Sequence, residues 1–100
     1  MAVTSKALAR TAAATSSTTL YTVPSSTTTV VTNIVVTNTT STAGTFTITL
    51  DGIALASGAA IAANDTVVID LKQVLATTKI IAGLASATTI NFHISGVEIS

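Results

Sequence analysis

The sequence predicts a single all-β domain, an antiparallel β-sandwich of about seven or eight short strands. Three observations predict it. Thr, Val and Ile recur throughout the chain, and their branched Cβ restricts χ1 and favours a pleated surface over a helix. Apolar and polar residues alternate with a period of two, most cleanly in Thr45–Leu50, where Phe46, Ile48 and Leu50 alternate with Thr45, Thr47 and Thr49. Turn signals separate the segments at short intervals, and none of the linkers has the helical crossover that parallel strands need.

Residues 1–17, MAVTSKALARTAAATSS, carry two cations and no acid. An acid-poor composition of Ala, Ser, Thr and Arg also marks organellar transit peptides, whereas the apolar core of a secretory signal is missing. The segment is read as an extended N-terminal arm, with Val3, Lys6, Leu8 and Arg10 as the residues that would dock on a partner. A strand packed on its own domain is the alternative. Residues 18–100 are the sandwich domain.

Leu20–Val23 is a short strand closed by Pro24, which has no N–H for a ladder and belongs at a strand end or edge. Tyr21 can place its ring in the core and its hydroxyl at the rim. Thr28–Asn38 is the longest strand. Val30, Thr32, Ile34 and Val36 are expected on its core face, with Val31, Asn33, Val35 and Thr37 opposite. After a polar loop and Thr45–Leu50, Asp51-Gly52 signals a hairpin, because a type I′ turn needs positive φ at both central residues. Ile53–Leu55 returns beside it.

Ser57–Asp65 reads as a crossing, with Ile61 plugging the core. Thr66–Leu71 is a strand with Val67, Ile69 and Leu71 inward. Lys72–Thr77 has the spacing of a helical turn, with Val74 and Leu75 as a lid. Lys79–Leu84 is a further strand. Thr88–Ile99 closes the domain with Ile90, Phe92 and Ile94 inward; Val97 and Ile99 then take the opposite phase. A glycine at that phase change, Gly96, suggests a bulge.

The chain of 100 residues is 48% hydrophobic and 8% charged, with no net charge and no cysteine. Its four cations, Lys6, Arg10, Lys72 and Lys79, are scattered, so no nucleic-acid partner is expected, since phosphate binding needs clustered Lys and Arg. No membrane is expected either: the longest near-apolar run, Gly58–Ala63, is far short of the roughly 20 residues a spanning helix needs. Free proteins carry about 25% charged residues. A surface this poor in ions, lacking the charges that keep strand edges apart, points to a homo-oligomer; a monomer with a Thr-rich surface is the alternative.

No catalytic constellation is visible. His93 is the single histidine, no serine sits in a Gly-x-Ser-x-Gly elbow, and Asp51 and Asp65 belong to turns. His93 with Glu98 or Asp70 falls short of the three or four ligands of a zinc site. Tyr21, Phe46 and Phe92 are spaced as core residues. No enzyme activity, cofactor or metal is expected.

The strings LYTVP (Leu20–Pro24), VTNIVVTN (Val31–Asn38), TITLDG (Thr47–Gly52) and ISGVEI (Ile94–Ile99) together resemble the short β-sandwich virion proteins of tailed bacteriophages. Tyr21, Pro24, Asn38, Asp51, Gly52 and Gly96 are the structural positions that carry the likeness; residues before Leu20 fall outside it. The resemblance implies an Ig-like or jelly-roll-like sandwich located in the virion. Its implied role is capsid decoration or cementing by bridging neighbouring major capsid protein subunits, or else that of a neck, tail or fibre accessory module. Its implied partners are further copies of itself, with a trimer favoured, and the major capsid protein or another virion protein.

Overall fold

The computed structural model describes residues 2–100, and among them every regular element is a strand: β1 Val3–Ala12, β2 Thr18–Thr22, β3 Thr28–Asn38, β4 Gly44–Leu50, β5 Ile53–Ile61, β6 Thr66–Leu75, β7 Ile80–Ala85 and β8 Ile90–Ile99. They form two antiparallel sheets of four, ordered β1-β8-β3-β6 and β2-β7-β4-β5. The pairing has a simple rule. β4 pairs with β5, β3 with β6, β2 with β7 and β1 with β8, so the chain is one long hairpin folded at Asp51-Gly52 and wrapped around itself. Wrapping adds the pairs β3·β8 and β4·β7. This order is that of a jelly roll, which settles the choice between the two sandwich types expected.

The hairpin that starts the wrap forms as its residues dictate. Asp51 (φ 53°) and Gly52 (φ 75°) take the positive φ of a type I′ turn, with Leu50 opposite Ile53. Phe46, Ile48 and Leu50 point inward from β4, and Phe46 meets Phe92 of the facing sheet edge-on, with ring centroids 6.4 Å apart at 69°. Ile34, Val36, Ile61, Ile81, Ile90 and Ile94 complete the centre of the core.

Four expectations need correction. Ser57–Ile61 is not part of a crossing but the second half of β5, because β4 offers it a ladder as far as Gly44 opposite Ile61. Residues 3–12 are not a free arm but the edge strand β1, paired along its length with β8 of the same chain; Met1 lies outside the described residues. The cause is β8, which pairs with β3 on one side and offers β1 a ladder of backbone partners along the other. Lys72–Leu75 continues β6 and forms no helical turn, because β3 offers it a ladder of backbone partners, Val74 opposite Val30 and Leu75 opposite Thr29, whereas one isolated turn pays nucleation without propagation. In β3 the core face is Thr29, Val31, Ile34, Val36 and Asn38. Val30 and Thr32 are not in it, since the register shifts between Val31 and Asn33.

Candidate functional site

That register shift is one part of an irregularity that crosses the whole first sheet. Against β8, β1 carries an extra residue at Leu8 and β3 an extra residue at Thr32. Between the pairs Val31–Gln73 and Asn33–Asp70, β3 has Thr32 alone where β6 has Leu71 and Lys72. β8 itself alternates without interruption, so the bulge expected at Gly96 lies in its neighbours instead. Gly96 is what lets them close in: a Cβ there would meet the Val30 carbonyl oxygen and stand 2.9 Å from Leu8 Cδ1. Beyond this line β8 turns Glu98 inward and Val97 and Ile99 outward. The end of the sheet is polar inside and aliphatic outside.

Inside, Tyr21 reaches from β2 in the other sheet and closes the end of the sandwich. Its Oη lies 2.8 Å from Thr29 Oγ1 and donates to Glu98 Oε2 at 2.5 Å; Lys6 Nζ sits 3.4 Å from the same carboxylate. The hydrogen bond from Tyr21 and then the Lys6 ammonium hold the Glu98 carboxyl below its ordinary range, against the opposing effect of desolvation. Burial first, and then the bond to Glu98, push the Tyr21 hydroxyl up. Every buried side-chain polar atom among the described residues has a partner, and the Tyr21–Thr29–Glu98 bonds join the two sheets.

Outside, cross-strand register assembles one aliphatic surface. Val3 stands opposite Ile99, and Val97 opposite Val30, which stands opposite Val74. Val3 and Val74 are 67% and 68% exposed, with Val30, Val97 and Ile99 half-buried between them. Ser5 and Thr28 border it, opposite Val97 and Ile99; exposed apolar patches larger than those scattered over an ordinary surface mark interaction sites.

The other predicted positions serve the fold. Pro24 ends the segment after β2, and its carbonyl accepts from Thr77 Oγ1 at 2.7 Å. Asn38 is buried at the far end of β3. Its Nδ2 donates to the carbonyls of Thr42 (2.9 Å) and Ala62 (3.2 Å), and its Oδ1 accepts from the Thr40 N–H (3.2 Å), so one side chain ties two loops together. Asp51 faces Lys79 at 3.6 Å. Of the four residues assigned to an arm, Leu8 is buried in its own core, Lys6 serves Glu98, Val3 belongs to the outer aliphatic surface and Arg10 stands opposite His93. The structure therefore does not bring the four together.

Sequence reasoning weighed Glu98 only as a companion of His93 and missed its bond to Tyr21. The signal was the change of apolar phase after Gly96: with the alternation of β8 kept, it leaves Glu98 and not Val97 or Ile99 on the inner face. Among the described residues no three His, Asp or Glu side chains cluster as metal ligands. A cleft of about 220 Å³ opens between β1 and β2, and Arg10 is the one ionisable side chain in its lining.

No family model matches the chain, and no curated protein does. Among solved structures the chain is similar to a pentameric capsid protein isolated from metagenomic phage sequences, with 16% identity and a TM-score of 0.39 over 89% of this chain and 58% of that one. The likeness is distant, and the chain spans little more than half the length of that protein.

Proposed function

We propose that the protein is a structural subunit of a tailed-bacteriophage virion that decorates or cements the capsid by bridging neighbouring major capsid protein subunits. Its role in this reading is mechanical, not catalytic. The observation that carries it is the outward aliphatic end of the first sheet, in a chain with only 8% charged residues. Each Å² of apolar surface covered contributes about 25 cal/mol before ordering costs. A cement protein acts by covering surface across the joints of a shell. The jelly roll also occurs in capsid domains, an analogy of fold, since one fold hosts many functions. The sequence likeness to short virion proteins points the same way.

The test is particle stability. Virions stripped of the protein should release their genome at a lower temperature than intact ones, and adding the purified protein back should restore the difference. Equal release temperatures defeat the proposal. Copy number separates it from the neck, tail or fibre reading: a decoration protein scales with the capsid lattice, whereas a tail component is present in few copies.

A further inference from the structure

We infer that two copies of the chain join through the free edge of β6, about a two-fold axis at Leu71, to make one continuous eight-stranded sheet from two four-stranded ones. β6 is the last strand of the first sheet and has β3 on one side only. Its exposure alternates from Thr66 to Lys72, after which Gln73 and Val74 are both exposed and Leu75 is buried. Val67, Ile69 and Leu71 are half-buried on the inner face, while Thr66, Val68, Asp70, Lys72 and Val74 are exposed on the outer one.

An antiparallel two-fold axis through residue 71 sets each position against the one equally far on its other side. Asp70 then faces Lys72 of the second copy, and Lys72 faces its Asp70. Val68, 61% exposed, faces Val74, 68% exposed, and the reverse. All four pairs lie on the same face, so each copy supplies both charges and both valines to an isologous contact. Cross-strand pairs of opposite charge and of β-branched side chains are the units that stabilise a sheet. An axis moved by a single position would break every one of these matches. The contact is also continuous with the aliphatic surface already described, because Val74 is one end of that row.

Lysine and a local irregularity on an edge strand also serve elsewhere as guards against pairing. Here the lysine comes with an acid placed to meet it under rotation, and a guard needs no such partner. A threefold ring, the form suggested by resemblance, would need two different surfaces to meet; β6 is complementary to itself.

Sedimentation equilibrium on the purified chain tests this without a particle, so its failure leaves the virion reading to its own experiment. The wild-type protein should sediment as a dimer. D70K and K72D each place like charges across the axis and should raise the dimer dissociation constant about tenfold or more. The D70K/K72D double variant exchanges the charges and should restore the dimer. An equimolar mixture of the two single variants should form a heterodimer, since one copy then presents two cations and the other two anions. Both positions are exposed, and circular dichroism of each variant checks the fold. A wild-type monomer, a trimer, or an oligomer indifferent to both single variants overturns the inference.

Discussion

Replacing Gly96 by alanine tests the geometry on which the inverted end of the first sheet depends. Gly96 has no positive φ, so the substitution carries no intrinsic backbone cost. Its whole effect is contact. The new Cβ would overlap the Val30 carbonyl oxygen, lie 2.9 Å from Leu8 Cδ1 and 3.3 Å from the Val30 carbonyl carbon. Leu8 can rotate away; a ladder carbonyl between β3 and β8 cannot. Overpacking against a fixed group costs about 3 kcal/mol, and at about 4–8 °C per kcal/mol for a domain of this size the midpoint should fall by about 12–24 °C. Thermal unfolding followed by circular dichroism reads it. The double variant L8A/G96A discriminates further: it should remain at least as unstable as G96A, because the backbone clash survives loss of the leucine. If G96A melts within about 2 °C of wild type, or if L8A rescues it, the close approach of β3 to β8 at this point is wrong. Gly52→Ala is the counterpart, with open space around it but φ +75°; it should cost only about 1–2 kcal/mol, the left-handed penalty of a residue with a Cβ.

Tyr21→Phe removes the hydroxyl from Thr29 and Glu98 and should cost about 1–2 kcal/mol in urea unfolding; no loss would mean that the two sheets are not tied there. The pH dependence follows from the same group. The Glu98 carboxyl is held below its ordinary value of 4.5 in the folded state, so its stabilisation is present above that value and is lost as pH falls through the folded pKa. The Tyr21 hydroxyl is raised above 10.0, so its stabilisation is lost as pH climbs through the raised value. E98Q should flatten the acid limb of a melting-temperature profile, and an unchanged limb would refute the assignment. Asn38→Ala leaves two carbonyls and an N–H without their partner and should destabilise by about 3 kcal/mol. Asn38→Asp, which keeps the acceptor but sets a charge against two carbonyls, should do no better; a neutral effect of either contradicts the loop tie.

How much of this was legible in the sequence depends on the range of the forces involved. Thr45–Leu50 and its turn are local: unbroken alternation and the φ demands of Asp51-Gly52 specify them without reference to the rest. The core phase of Ile90, Phe92 and Ile94 is local for the same reason. The phase of Thr28–Thr32 was not readable, because it is set by a register shift shared with Leu8 and Leu71 on strands far away in the chain. Lys72–Leu75 has helical spacing, and only the neighbouring Thr29–Val31 makes it extended. Residues 3–12 could not be assigned to their own sheet before β8 was known to lie inside it. At the candidate surfaces the residues were in view but their arrangement was not. Asp70 and Lys72 stand two apart in any reading, yet complementarity has meaning only once β6 is an edge. Glu98 was half legible through Gly96; its partner Tyr21 comes from the opposite sheet, and no spacing rule connects them.

The wrapped-hairpin order bears on how the chain acquires its structure during synthesis. The innermost pair, β4 with β5, can close as soon as its turn has left the ribosome, and each later pair encloses a longer loop. The last strand to emerge, β8, is an interior strand that supplies Ile90, Phe92 and Ile94 to the core and holds β1 to β3. Until it arrives, β1 has no strand to pair with and β3 is paired with β6 alone. A nascent polypeptide halted before Ile90 should therefore stay protease-sensitive through β1, and acquire resistance there once Ile90–Ile99 has left the ribosome.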